Sequence, residues 1–235
     1  MIELKEISLG FADKQLAEGI SARLDKGKFV AIVGDNGSGK STLLKCIMGE
    51  ESPRSGEILL NNQSINKLDR RTMASQISVN LSGRTSIPGM TVMEVLETAT
   101  YPLKGRFSEE DVKTKLNEII ETYGLDEFEG RLINTLSDGE YQRSMIARSF
   151  VQSTPFILMD EPSAFLDVRR KRELFRSLSI AAKADMGILI SSHDIHEVLE
   201  FCTHVWILNG GKLVEYNRED SNLKETVRSI FAMDI

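Results

Sequence analysis

Residues Gly34 to Thr42 read GDNGSGKST, a run that fits G-x-x-x-x-G-K-[ST]. Upstream, Phe29 to Val33 (FVAIV) reads as a buried strand, and downstream Ser41 to Gly49 (STLLKCIMG) reads as a short helix whose N-terminus faces the loop. A phosphate group placed there meets backbone N–H donors and the positive end of a helix dipole. Glycines at 34, 37 and 39 are expected to let the backbone turn tightly and approach phosphate oxygens with no Cβ in the way, with Asn36 and Ser38 in the same loop. In this reading Lys40 bridges the β- and γ-phosphates, Ser41 offers its hydroxyl to Mg²⁺, and Thr42 supports the α-phosphate side. The expected ligand is a nucleoside triphosphate.

Composition narrows the class of protein around this loop. The chain has 235 residues, enough for one large core or two small ones, and its 41% hydrophobic content is that of a globular protein. A formal net charge of −6 lacks the basic balance that binding a phosphate backbone needs, so no nucleic acid partner is expected. Cys46 and Cys202 form no metal spacing and lie in apolar segments, which reads as two buried thiols in a reducing compartment. The opening residues MIELKEISLGF lack the apolar stretch of a secretory signal, and runs such as Val205 to Leu208 fall short of a membrane span. A membrane function would need a span from another chain.

The pattern of apolar residues changes twice along the chain. Ile2, Leu4 and Ile7, then Ile20 to Leu24, then Gly56 to Leu60 entering an Asn-Asn turn, have β character and suggest an antiparallel sheet beside the nucleotide. From Thr91 to about Gln152 the period becomes helical, with Thr91 as a cap before VMEVLETAT and an amphipathic stretch from Ser108 to Tyr123. After Pro155 strand and helix alternate, and Phe156 to Met159, Gly187 to Ser191 and Val205 to Leu208 are expected to lie parallel in one sheet.

Phe156 to Glu161 (FILMDE) is an apolar strand ending in two carboxylates, at the edge where ligands sit in such folds. Asp160 is a candidate Mg²⁺ partner and Glu161 a candidate base for water. Leu136 to Arg143 (LSDGEYQR) starts another helix, with Ser137 and Gly139 offering a hydroxyl and a backbone N–H to an anion. This segment resembles the signature motif of ATP-binding-cassette (ABC) ATPases, L-S-G-G-Q-x-Q-R, with Asp138 in place of a glycine and Glu140 in place of Gln. Other elements of that family follow in order. Phe11 matches the aromatic that stacks on adenine, Ser163 to Asp167 (SAFLD) matches the D-loop, and Ser192-His193-Asp194 matches the switch histidine. Where the family carries a Gln that contacts Mg²⁺, counting back from Met90-Thr91-Val92 gives Ser82; Asn80, two residues upstream, is a candidate substitute.

The resemblance covers nearly the whole chain and implies a P-loop NTPase (RecA-like) α/β fold. That fold has a mixed-sheet core with an antiparallel β subdomain over 1–90 and 153–235, and a helical signature subdomain over about 91–152. It implies ATP and Mg²⁺ as ligands, Glu161, His193 and Lys40 as catalytic residues, and a homodimer that sandwiches two ATP molecules. Ser137 and Gly139 of the signature segment would then face the partner's nucleotide, and Asp167 of the D-loop match joins the nucleotide-binding residues. Stretches such as ISVNLSGRTSIPGMTVMEVL and EPSAFLDVRRKRELF resemble the ATPases of iron-siderophore, haem and cobalamin importers. On that resemblance the chain works at the cytoplasmic face of the inner membrane with separate permease subunits and, indirectly, a substrate-binding protein. The alternative is a soluble ABC ATPase of iron–sulfur cluster assembly.

Overall fold

The computed structural model describes residues 1–231 apart from 12–13, 85–86, 88 and 104–106. Its elements run β1 (Ile2–Phe11), β2 (Lys14–Leu24), β3 (Phe29–Val33), α1 (Lys40–Met48), β4 (Ser55–Leu60), β5 (Gln63–Ser64), α2 (Arg70–Gln76), β6 (Ile77–Asn80) and α3 (Val92–Thr98). They continue as α4 (Glu109–Thr122), α5 (Asp138–Val151), β7 (Phe156–Asp160), α6 (Val168–Lys183), β8 (Gly187–Ser191), α7 (Ile195–Phe201), β9 (His204–Asn209), β10 (Lys212–Asn217) and α8 (Ser221–Phe231).

Two sheets result. One has the order β2-β1-β4-β5 and is antiparallel. The other has the order β10-β9-β3-β8-β7-β6; its inner strands are parallel and β10 runs antiparallel to β9 at the edge. The three strands expected to be parallel are so, with β3 between β8 and β9.

Strands 29–33, 156–160 and 187–191 are apolar on both faces because each face meets a different core. Val30, Ile32, Leu158, Leu189, Trp206 and Leu208 point toward α1 and the antiparallel sheet. Phe29, Ala31, Val33, Ile157, Ile190, Val205 and Ile207 alternate with them and pack with Leu174, Phe175 and Leu178 of α6 and Leu223 and Val227 of α8. Each Val, Leu, Ile or Phe among them taken fully from water contributes about 1.5–3 kcal/mol, so the central strands are strongly held.

A third cluster draws its buried members from residues 92–151, including Val95 and Leu96 of α3, Leu116 and Ile120 of α4, and Tyr141 and Ala147 of α5. Ile146 of α5 joins the second cluster instead, so this helix ties the two cores together. Local signals start these helices. Thr91 with Glu94, Ser108 with Asp111, and Ser137 with Glu140 each form a capping box. Among the described residues no helix is long and apolar enough to cross a membrane.

Candidate functional site

The loop between β3 and α1 lies at the carboxyl edge of the parallel strands, next to the ends of β7 and β8. Gly37 and Gly39 take φ of 78° and 108°, which an L side chain adopts only with strain. Gly34 differs from the expectation placed on it. Its φ is not positive, and a Cβ there would overlap the carbonyl oxygen of Leu208 on β9, so this glycine serves close packing against the sheet. Lys40 is buried and folds back over the loop, its Nζ donating to the carbonyls of Gly34 at 2.8 Å and Asp35 at 3.0 Å. Burial lowers its pKa, opposed by Glu161, Asp160 and Asp35. Ser38 Oγ is buried with no partner among the described residues.

A cavity of about 410 Å³ opens over this loop. It is lined by Phe11 and Lys14 from the antiparallel sheet, by Asn36, Gly37, Gly39, Lys40, Ser41 and Thr42, and by Ser82, Asp160, Glu161 and His193. Phe11 is 52% exposed, leaving its ring free to meet a planar ligand.

Asp160 is the centre of the polar arrangement. Its carboxylate accepts from Ser41 Oγ at 3.0 Å and Ser191 Oγ at 2.5 Å on one oxygen, and from Ser82 Oγ at 2.7 Å on the other. Ser191 also accepts from the backbone N–H of Glu161 at 2.9 Å, so one hydroxyl fixes both acidic residues. This serine was not among the residues singled out above. The signal that could have found it is register, because Ser191 pairs with Asp160 across parallel strands β7 and β8.

Glu161 has φ of 46°, a left-handed conformation in a non-glycine residue that turns its side chain toward the cavity side of the strand end. Its Oε1 lies 3.0 Å from His193 Nε2, an ion-pair distance without hydrogen-bond alignment, and so has no hydrogen-bond partner among the described residues. Burial raises its pKa above the ordinary value, against the pull of His193 and Lys40.

Asn80 is buried on β6, its Nδ2 has no partner among the described residues, and it does not line the cavity. The substitution of Asn80 for a glutamine is therefore corrected: Ser82 is the residue of this segment that reaches the site. Among the described residues no cluster of three or more His, Cys, Asp or Glu is placed to hold a metal. The Ser41 hydroxyl and Asp160 carboxylate nonetheless fit a hard cation that keeps waters and shares phosphate oxygens, as Mg²⁺ does.

Ser137, Gly139 and Asp167 do not line this cavity. Ser137 Oγ is held by its own capping box, 2.9 Å from Glu140 Oε2, and Glu140 stands where the resembled motif has Gln. A Cβ added at Gly139 would lie 3.2 Å from the Phe165 carbonyl oxygen. Asp167 caps α6, accepting from Arg170 N at 2.9 Å, and borders a separate cavity with Arg143. Gln142 of α5 donates to the Pro162 carbonyl at 2.9 Å and Ser163 to Asp194, which joins the signature helix, the D-loop and the switch segment.

A phosphate loop, a helix start and paired carboxylates at the carboxyl edge of a mostly parallel sheet define a nucleoside triphosphatase. The chain belongs to the ABC transporter family, whose model matches residues 17–164. The hemin import ATP-binding protein HmuV of Bradyrhizobium diazoefficiens is 30% identical over 244 residues, all of this chain and 89% of its own length. The probable siderophore transport system ATP-binding protein YusV of Bacillus subtilis is 27% identical, over 99% of this chain and 86% of its own. Among solved structures, the dimeric post-hydrolysis state of the ATP-binding cassette MJ0796 with ADP and Pi matches with a TM-score of 0.81 and 26% identity, over 94% of this chain and 100% of that one. The chain is an ATPase that binds and hydrolyses ATP.

Proposed function

We propose that this chain is the ATP-hydrolysing subunit of an importer of an iron chelate, haem or cobalamin, working as a dimer on separate permease subunits at the cytoplasmic face of the membrane, with a substrate-binding protein as indirect partner. The relatives named for hemin import and siderophore transport favour this over the iron–sulfur assembly alternative.

In this reading Phe11 stacks on adenine, and the N–H groups of residues 36–42 receive the phosphates. Lys40 exchanges its two carbonyl acceptors for phosphate oxygens. Ser41 and Asp160 would hold Mg²⁺, which when bound offsets the charge on the β- and γ-phosphates. Glu161, with a carboxylate oxygen that has no hydrogen-bond partner among the described residues and a pKa raised by burial, takes the proton of the attacking water. His193, beside that oxygen, orients it and meets the γ-phosphate side.

The observation that carries the dimer is that Ser137, Gly139 and Asp167 lie outside the cavity of their own chain. A second copy supplies Ser137 and Gly139 to close the ring of donors around the γ-phosphate. Mixing Lys40→Ala chains with Ser137→Arg chains tests this, since each mixed dimer regains one intact site. Recovery of ATPase activity is expected; none, with mixed dimers shown to form, contradicts action across the dimer. For the cargo, cells lacking this chain should lose uptake of labelled haem or ferric chelate, restored by the parent chain and not by Lys40→Ala.

A further inference from the structure

We propose that Arg84 is a positioning residue that ties the start of this chain's own signature segment and the turn before it, residues 133–141, to the Asp160 carboxylate. Arg84 Nη2 donates to the carbonyls of Ile133 at 3.2 Å, Asn134 at 3.1 Å and Leu136 at 2.8 Å. Its Nη1 reaches Asp138 Oδ1 at 3.3 Å, and the guanidinium lies 5.0 Å from the centre of the Tyr141 ring. One side chain thus gathers the turn before Ser137 and the first turn of α5. A guanidinium suits this task because its donors form a rigid planar fork, which an ammonium cannot reproduce.

Two residues upstream, Ser82 Oγ holds Asp160 Oδ2 at 2.7 Å. Gly83 between them has φ of 94° and no atom within reach of an added Cβ, so the reversal there is set by backbone conformation. Two residues span at most about 7 Å, so the two anchors cannot move far apart. A ligand that competes for Asp160 displaces Ser82, and Arg84 carries that displacement to the carbonyls of Ile133, Asn134 and Leu136. The departures from the resembled motifs meet in this network: Ser82 holds Asp160, Asp138 receives Arg84, and Glu140 closes the cap on Ser137. The inference rests on reading Asp160 as the carboxylate at the nucleotide and residues 136–143 as the signature segment.

The test is amide hydrogen exchange of residues 131–141 in the full chain, at a concentration where light scattering gives a monomer, with and without Mg-ATP. Calorimetry on the same samples measures Mg-ATP binding. In the parent, Mg-ATP should change exchange in this segment. Arg84→Ala should raise its exchange about tenfold without nucleotide and abolish the response, with ATP affinity within about threefold. Arg84→Lys should recover only part of this, and kcat in both should fall more than KM rises. Ser82→Ala cuts the other end: exchange without nucleotide stays at the parent level and the response to Mg-ATP is lost. That variant keeps the test decisive if Arg84→Ala does not fold. A segment indifferent to Mg-ATP in a parent that binds it, or one that still responds in Ser82→Ala, overturns the relay alone. A parent that fails to bind Mg-ATP overturns the site reading with it.

Discussion

Glu161 Oε1 lies 3.0 Å from Nε2 of His193, a half-buried carboxylate beside an exposed imidazole. Burial raises the pKa of Glu161 and His193 opposes the rise. A base acts when unprotonated, so hydrolysis should be lost as pH falls through this raised pKa, above the ordinary glutamate value of about 4.3. His193→Ala removes the opposing charge, and the acid limb of the kcat/KM profile should move to higher pH. A limb that stays in place or moves lower counts against the pairing.

The same burial has a consequence for stability. Because the folded state favours protonated Glu161, ionisation costs stability above the raised pKa, and the cost disappears as pH falls below the unfolded value. Glu161→Gln should therefore melt higher than the parent near about pH 8, with the difference shrinking toward about pH 4. Equal melting temperatures across that range would show that the carboxylate is not penalised in place.

Ser191 and Ser82 both donate to Asp160, and their surroundings separate them. Ser191 is fully buried and also accepts from Glu161 N, so Ser191→Ala leaves two groups short of a partner and should cost about 1–3 kcal/mol in denaturant unfolding. Ser82 is exposed, and water replaces its hydroxyl; Ser82→Ala should change stability by less than about 0.5 kcal/mol and lower ATPase activity by less than about tenfold. The reverse order of stabilities would contradict the assignment of Ser191 as the clasp on the two acids.

The phosphate loop makes a similar contrast testable. At Gly37 an alanine meets open space and suffers only the left-handed backbone, about 1–2 kcal/mol. At Gly34 the Cβ collides with the Leu208 carbonyl, so the sheet must shift, and Gly34→Ala should be the more destabilising of the two. Thermal melts of both variants decide between packing and backbone freedom as the reason for Gly34.

What was legible beforehand is what is local. The strand Phe29–Val33, the helix after the loop, the cap at Thr91 and the amphipathic stretch from Ser108 follow from neighbours within a few residues, and they point to the fold class. Ser191 on Asp160 and Arg84 on the 133–138 turn join segments 31 to 54 residues apart, through contacts that no spacing rule encodes. Gly34 has a packing reason that the loop sequence does not contain, because its neighbour Leu208 comes from a distant strand. Asn80 shows the limit of alternation near a strand end: it shares a side of the strand with Ser82 by count, yet is buried while Ser82 lines the cavity.

Lys40 should act before the chemistry. A charge-assisted contact to phosphate contributes about 1.5–3 kcal/mol, so Lys40→Ala should weaken Mg-ATP binding by about ten- to a hundredfold in calorimetry. Unchanged affinity would contradict the phosphate-cradle reading of residues 34–42.

The most direct test of Glu161 as the base that drives hydrolysis is a single-turnover measurement of ATP cleavage by Glu161→Gln beside the parent. The variant should bind Mg-ATP within about threefold of the parent, cleave it about 10²- to 10⁴-fold more slowly, and accumulate as an ATP-bound dimer on sizing. Cleavage at a near-parental rate by the correctly folded variant would contradict the account.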